Sequence, residues 1–218
     1  MTGAEPISPE LVALLDGTEV ACRDWAEQLE GPYRRGEQPL RRDIVEDRVG
    51  VALRLGLRLV DSHRQPMTDA EVEVWQCDAH GRYSGYPPLV DVREPVTEAN
   101  APRGVYLPDQ SFLRGRQPTD ATGAVEFASI FPGWYPGRTV HIHVVAQTGG
   151  HAYTSQLYFP DEITDALFLR PPYSDRPGQD TTNATDEIFP MGGEPAVLDL
   201  RPFGDGYLAA GRLVLPSH

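Results

Sequence analysis

The sequence predicts a mainly β protein: a single antiparallel β-sandwich domain with a short N-terminal helical segment and long loops. Two observations support this fold class. Glycine and proline are both frequent, at 21 residues each in a chain of 218, which favours short strands joined by turns over long helices. Runs of alternating apolar and polar residues also recur between turn-forming residues, as is typical of β-sandwiches.

The charge balance and the cysteine content exclude several classes of protein. With 32 acidic against 19 basic side chains, the net charge of −13 argues against nucleic acid or an anionic membrane as a partner. Cys22 and Cys77 are too few for a disulfide framework, and two buried free thiols are favoured over one bridge. The N-terminus lacks the basic and apolar segments of a signal peptide, and no apolar run is long enough to span a membrane. We therefore expect a cytoplasmic protein.

The chain is predicted to begin with a short helix. Ser8 is a typical N-cap and Pro9 a typical first helical residue. The apolar residues of Leu11–Leu15 continue the helix until Gly17 ends it.

A second helix is predicted directly afterwards. Thr18 is a suitable cap, and Ala21, Trp25 and Leu29 recur at a spacing of four residues before Gly31 ends the pattern. The two helices would form an extension over residues 1–31. Two roles stay open for it: a lid or dimer contact, or an appendage packed on the main domain.

Residues 32–218 are predicted to form the β-sandwich. Strands are expected at Val51–Leu59, Ala70–Trp75, around Val125 and Phe127, from Val140 to Val144, and at Thr154–Phe159, Val197–Leu200 and Arg212–Leu215. Residues 87–122 and 160–195 are expected to be mostly irregular. A loop as long as 87–122 is usually functional or disordered.

The segment FPGWYPGRTVHIHV, Phe131–Val144, concentrates the chemistry of the chain. Successive side chains of a strand alternate between its faces, so His141 and His143 point one way while Ile142 points the other. Two imidazoles about 6 to 7 Å apart on one face can chelate one metal ion.

The histidine pair alone leaves the metal open. A catalytic zinc site would take a further His or Glu, and His151 is the nearest candidate. An Fe(II) facial triad needs a carboxylate, and the nearest one downstream is Asp161. Tyr135 before the strand and Tyr83 in the GRYSGY turn add phenols, which as phenolates suit Fe(III). Tyr86, Tyr106 and Tyr158 are alternative phenols.

Four blocks of sequence together resemble the intradiol ring-cleavage dioxygenases, enzymes that open catechols between the two hydroxylated carbons. The blocks are EGPY at Glu30–Tyr33, VEVWQCDAHGRYSGY at Val72–Tyr86, FASIFPGWYPGRTVHIHV ending at Val144, and TSQLYF at Thr154–Phe159. The resemblance implies a mononuclear non-haem Fe(III) cofactor held by Tyr83, Tyr135, His141 and His143, with a solvent hydroxide as fifth ligand. It implies long active-site loops on the sandwich.

The resemblance also implies roles for residues around the iron. Tyr135 would take up a catechol proton, Arg138 would stabilise negative charge on the substrate, and Gln156 would line the oxygen pocket. The expected substrate-binding residues are Pro32, Tyr33, Asp78 and Ala79. The partners would be a small aromatic diol and O2. We expect an uncharged catechol, because Asp78 would disfavour an anionic substituent if it points inward.

Two questions stay open at this level. The alternative to an enzyme is a β-sandwich binding module that kept the scaffold and lost the chemistry. The helical extension is shorter than the large helical linker of the dimeric catechol dioxygenases, so the oligomeric state is open, with a homodimer among the alternatives.

Overall fold

The fold consists of two packed β-sheets, as the alternating sequence pattern predicts. The computed structural model describes residues 6–18, 20–68, 70–87, 109–176 and 178–215. Their helices and strands are α1 Pro9–Asp16, β1 Cys22–Asp24, β2 Ala52–Val60, β3 Glu71–Trp75, β4 Arg114–Pro118, β5 Ala124–Ile130, β6 His141–Thr148, β7 His151–Tyr158, α2 Asp161–Leu167, β8 Asp199–Phe203 and β9 Gly206–Val214.

The first sheet has the strand order β1-β9-β2-β5. β8 also pairs with β9, on the same edge as β1 but along the other half of the strand. β2 pairs antiparallel with β5 and parallel with β9. The second sheet has the order β4-β3-β6-β7, and all of its pairings are antiparallel. The predicted antiparallel sandwich is thus correct for the second sheet, whereas the first sheet is mixed.

The core lies between the two sheets and follows the period of two along each strand. The inward residues of β2 are leucines, from Leu53 to Leu59, and they share one cluster with Val72, Val74, Ile142 and Val144 of the second sheet. The other face of the second sheet carries Trp75, His141, His143 and Val145. These residues are also buried, because the segment that runs from residue 25 to residue 45 crosses that face.

The first predicted helix is confirmed as α1. Ser8 stands at its N-cap, although the Ser8 hydroxyl makes no capping bond. Leu11, Leu14 and Leu15 pack against the outer face of the first sheet, with Leu208 and other residues of that face. α1 is therefore a packed appendage.

The second predicted helix is wrong. Residues 22–24 instead form β1, which pairs parallel with β9 along Arg212–Val214. Trp25, which the helical stripe had placed on one face with Ala21 and Leu29, lies in the main core, while Leu29 is 48% exposed. Pairing with a sheet edge outweighs a weak local helical preference here.

The predicted irregular segments contain regular elements. Within 87–122, residues 88–108 lie outside the described residues, but β4 follows at Arg114–Pro118. The segment 160–195 contains α2 and three short 3-10 helices, Tyr173–Asp175, Phe189–Met191 and Glu194–Ala196. The last strand is longer than the predicted Arg212–Leu215, because it starts at Gly206 and pairs with three strands.

Two expectations from composition can be compared with the structure. Both cysteines are free, as favoured by the sequence, but only Cys77 is buried and Cys22 is half-buried. In the described part of the chain no helix is long and apolar enough to cross a membrane.

Candidate metal centre

Two phenols and two imidazoles meet on the outer face of the second sheet. The Tyr135 Oη lies 3.2 Å from His141 Nε2, His141 Nε2 lies 3.1 Å from His143 Nε2, and His143 Nε2 lies 3.1 Å from Tyr83 Oη. All four side chains are buried, with exposed fractions from 0% to 3%. The structure therefore brings together the two histidines of β6, the tyrosine of the preceding turn and a tyrosine more than fifty residues upstream.

The spacing of these four atoms fits a single metal ion. A first-row metal bound at about 2.1 Å holds neighbouring ligands about 3 Å apart when they subtend a right angle. The chain offers this mixed set of phenols and imidazoles and no cluster of three or more His, Cys, Asp or Glu side chains within the described ranges. His151, the candidate for a zinc site, is exposed near the tip of the β6–β7 hairpin.

Burial sets the protonation of the four donors. It raises the pKa of Tyr83 well above its ordinary value and that of Tyr135 to about 12, although Arg138 lowers the latter. Burial also lowers the pKa of both histidines, and the Arg138 cation acts in the same direction. Both imidazoles are therefore neutral and can donate a lone pair. A bound cation would be needed to hold the two phenols as phenolates.

The two histidines are oriented in different ways. His141 donates its Nδ1 proton to the carbonyl of Thr139 at 2.7 Å, which leaves Nε2 free to act as a ligand. His143 stacks on Trp75 with ring centroids 4.9 Å apart and planes within 1°. Its Nδ1 is buried and makes no hydrogen bond to the described residues. Near the Cε1 edge of its ring lies Gly31, with φ +73°, where a Cβ would stand 2.9 Å from His143 Cε1.

A buried ion pair adjoins the donor cluster. The Arg138 Nε donates to Asp186 Oδ2 at 2.8 Å, and its Nη2 donates to Gln156 Oε1. Gln156 in turn donates to the carbonyl of Leu29 at 2.9 Å. Burial alone would raise the pKa of Asp186, but Arg138 and the backbone N–H donors outweigh it and hold the pKa below its ordinary value.

Of the expected substrate-binding residues, Tyr33 lies beside the cluster. Its ring stacks on that of Tyr83 with centroids 4.3 Å apart and meets the ring of Tyr135 edge to face at 5.9 Å. Pro32 precedes it and is half-buried.

Asp78 and Ala79 occupy the turn before Tyr83. The Asp78 Oδ1 accepts the N–H groups of His80 and Arg82 at 2.9 and 3.0 Å, and its Oδ2 lies 3.5 Å from Arg48. Its carboxylate is thus engaged in holding the turn. Among the described residues no hydrogen bond joins Asp78 or Ala79 to the donor cluster, and their role toward substrate stays a prediction.

The alternative phenols do not supply an oxygen to the cluster where the structure describes them. The Tyr86 hydroxyl donates to the Arg34 carbonyl at 3.1 Å, and the Tyr158 hydroxyl lies 2.9 Å from Gln28 Oε1 and 3.1 Å from Gln156 Oε1. Tyr106 lies outside the described residues.

Three residues of this region were missed by sequence reasoning. Asp186 lies about fifty residues from Arg138 in an irregular segment with no local pattern. Arg114 is 1% exposed and donates to Ser84 and to the Tyr33 carbonyl, but it lies in what looked like a loop. Trp75 could have been found from the sequence. It ends the alternating strand β3 on the face that carries Glu71 and Glu73, and a large aromatic side chain on a polar face indicates that another ring or segment packs on it.

Comparison with known proteins shows the family of this chain. A family model described as Dioxygenase matches residues 29–170, which is more than half of the chain. A solved intradiol ring-cleavage dioxygenase from Tetranychus urticae superposes with a TM-score of 0.76 at 32% identity, over 89% of this chain and 94% of that one. The chain belongs to the intradiol dioxygenase family.

Other members of the intradiol dioxygenase family are similar over shorter stretches. The protocatechuate 3,4-dioxygenase beta chain of Burkholderia cepacia is 33% identical over 140 residues, 57% of this chain and 54% of that protein. The chlorocatechol 1,2-dioxygenase of Rhodococcus opacus is 28% identical over 172 residues, 66% of this chain and 60% of that protein. This chain thus spans a little over half the length of these curated relatives. The family generally depends on non-haem iron and acts on aromatic diols with O2.

Proposed function

We propose that this protein is an Fe(III)-dependent intradiol dioxygenase. It would cleave a catechol-type ring between the two hydroxylated carbons, insert both atoms of O2 and yield a cis,cis-muconate-type diacid. The observation that carries the proposal is the convergence of four donor side chains, those of Tyr83, Tyr135, His141 and His143. The distances from Tyr135 Oη to His141 Nε2, from there to His143 Nε2, and from there to Tyr83 Oη are each 3.1 to 3.2 Å.

These four side chains would hold the iron. Two imidazoles and two phenolates carry two negative charges, which suits a trivalent hard cation better than a divalent soft one. Ferric iron would supply the Lewis acidity that keeps the phenols ionised and activates a chelated catechol toward O2.

Tyr135 and Arg138 have roles that follow from their own chemistry. With the cation bound, the Tyr135 phenolate oxygen would be a base beside the metal, and we assign it the uptake of a proton from a catechol hydroxyl. The Arg138 guanidinium is buried and held in place, so it stabilises negative charge on the substrate without reorganising.

The pocket residues follow from their position around the cluster. Tyr33 and Pro32 would form an apolar wall beside Tyr83, with the Tyr33 ring stacked on that of Tyr83, and Gln156, next to Arg138, would line the oxygen pocket. We keep Asp78 and Ala79 as residues that would line the pocket. If the Asp78 carboxylate faces the substrate, it favours catechol, hydroxyquinol or another catechol without an anionic substituent.

Iron loading combined with a catechol assay tests this function. Protein loaded with ferric iron should be burgundy, because tyrosinate-to-iron charge transfer absorbs visible light. It should consume O2 with catechol and form a diacid that contains both oxygen atoms of labelled O2. Protein that stays colourless with ferric iron would contradict the proposal. A screen of a dozen catechols, with and without a carboxylate, would then identify the substrate class.

A further inference from the structure

Asp186 is the most extensively bonded carboxylate beside the candidate metal centre. It is 3% exposed and accepts four hydrogen bonds, all of 2.8 Å. Its Oδ2 accepts from the Arg138 Nε and the Thr139 N–H, while its Oδ1 accepts from the N–H groups of Ile188 and Phe189. The carboxylate therefore joins the segment between β7 and β8 to the segment that leads into β6.

The first consequence concerns the direction of the Arg138 guanidinium. A guanidinium is planar, so fixing Nε and Nη2 fixes the whole group. Asp186 holds Nε and Gln156 holds Nη2, which leaves Nη1 as the end without a hydrogen bond to the described residues. Without Asp186, only one hydrogen bond would orient a side chain that has several rotatable bonds.

The second consequence concerns His141. The peptide N–H of Thr139 donates to Asp186, and the carbonyl of the same residue accepts the Nδ1 proton of His141. The Thr139 hydroxyl also donates to Asn183 Oδ1 at 2.9 Å, which ties the same residue to the same segment. The position of Thr139 thus connects Asp186 to the tautomer and ring orientation of a metal-donor histidine.

We propose that Asp186 is a positioning residue that holds the Arg138 guanidinium and, through Thr139, the His141 imidazole in the geometry that the reaction needs. This inference rests on the proposed function for its kinetic consequences. Asp186 hydrogen-bonds to none of the four donor residues, all of which lie in the described part of the chain. It acts through Arg138, which would face the substrate, and through Thr139 on His141, which would bind the metal.

Asp186→Asn is the most selective variant for testing this role. The amide oxygen can still accept from Ile188 and Phe189, so that turn is retained. The amide NH2 group would face the N–H donors of Arg138 and Thr139, which removes only the two bonds in question. Asp120→Asn is the matched control, because Asp120 Oδ1 caps the β4–β5 turn through the N–H groups of Thr122 and Ala124, and among the described residues it makes no hydrogen bond to Arg138 or to the donor cluster.

The kinetic and spectroscopic results should separate positioning from general stability. In iron-loaded Asp186→Asn we expect kcat to fall at least tenfold, KM to change less than threefold and the visible band to shift. Asp120→Asn should keep the wild-type values. In an Arg138→Met background, the further loss of kcat from Asp186→Asn should be clearly smaller than in the wild type, because the Arg138 part of the effect is already gone and only the part through Thr139 and His141 remains. A full tenfold further loss in that background would overturn the proposal.

A measurement without turnover keeps this inference distinct from the proposed function. In the ¹⁵N-labelled full chain loaded with gallium(III), a diamagnetic substitute for ferric iron, the Arg138 Nε–H and Thr139 N–H should exchange slowly, and at least tenfold faster in Asp186→Asn. Fast exchange of both protons in the wild type, or no change in the variant, would overturn the positioning role even if Asp186→Asn folds poorly. A wild-type protein that cleaves no catechol would overturn the proposed function alone, since the exchange rates still decide the role of Asp186.

Discussion

At the scale of single residues, Tyr135 differs from the other donors in its surroundings. Its ring lies among aromatic neighbours, 5.6 Å from that of His141 and 5.7 Å from that of Tyr83. Arg138 lowers its pKa against the effect of burial, whereas burial and the neighbouring Tyr135 both raise the pKa of Tyr83. Tyr135 is thus the phenol whose charge is most directly coupled to the predicted catalytic arginine.

Tyr135→Phe keeps the ring packing and removes only the oxygen. Because Tyr135 is both a proposed phenolate ligand and the proposed base, we expect a changed visible band and a loss of kcat of about 100-fold. The absorption spectrum and steady-state kinetics with catechol measure both effects. Tyr207→Phe, on β9 of the other sheet, is the control and should alter neither; a Tyr135→Phe protein with wild-type colour and rate would argue against both roles.

Gly31 is a residue at which the backbone passes close to His143. Gly31→Ala places a methyl group 2.9 Å from His143 Cε1 and also strains a backbone with φ +73°. We expect iron affinity to fall about tenfold, the effect of disturbing the surroundings of a metal ligand. A competition titration with a chelator measures this affinity.

Gly150→Ala separates strain from contact. Gly150 has φ +81°, but nothing lies within 4 Å of its Cβ position. Both variants should lose about 1 kcal/mol of unfolding free energy from backbone strain, whereas only Gly31→Ala should bind iron more weakly. Equal iron affinity in the two variants would mean that His143 tolerates the methyl group.

At the scale of elements, β4 connects the two segments that enclose the centre. Its Arg114 donates to Ser84 Oγ at 2.7 Å and to the carbonyls of Ser84 and Tyr33 at 3.0 and 2.8 Å. One buried cation therefore holds the turn that carries Tyr83 against the segment that carries Tyr33. The stacking of Tyr33 on Tyr83 depends on that link.

Arg114→Met should destabilise the protein by about 3 kcal/mol, because two carbonyls lose a buried donor. Urea-induced unfolding measures this difference. Arg116→Met on the same strand is the control: Arg116 pairs with the exposed Glu37 and the half-buried Glu71, and such pairs contribute about 1 kcal/mol or less. The Arg116 Nε also donates to one carbonyl, that of Gln38, so we expect a loss of about half that of Arg114→Met. Similar losses for the two variants would contradict the linking role of Arg114.

At the scale of the whole molecule, the helix α1 and the candidate metal centre lie on opposite sides of the sandwich. α1 covers the outer face of the first sheet, whereas the donor cluster lies on the outer face of the second. The two faces are separated by the common core. A change under α1 should therefore affect folding without affecting the centre.

Leu11→Ala tests this separation. Leu11 is fully buried, and its side chain lies 2.9 Å from the Cβ position of Gly56. The truncation should cost about 3 kcal/mol of unfolding free energy, while iron content, visible band and KM stay at their wild-type values. A loss of the band in the folded variant would show that α1 is coupled to the centre. The division at residue 31 stays a prediction.

The period-two pattern was sufficient to predict most of the sandwich and the direction of its key side chains. Alternation in β2, β3 and β6 predicts which residues face the core, and it places His141 and His143 together on the other face. These are local properties, since the alternation of side chains follows from the backbone of a single strand. The four donor residues were assigned through motifs that each lie within one short segment.

Only the tertiary structure decided what covers those side chains and what holds them. Residues 22–24 joined a sheet edge instead of a helix, and Asp186 reached Arg138 from an irregular segment with no recognisable pattern. Both outcomes depend on contacts between residues far apart in the chain, whose free energy of packing and pairing exceeds local preference and leaves no periodic trace in the sequence. The sequence alone determined which chemical groups are present and which way they face, whereas the fold determined that two phenols, two imidazoles and a fixed guanidinium meet in one buried place.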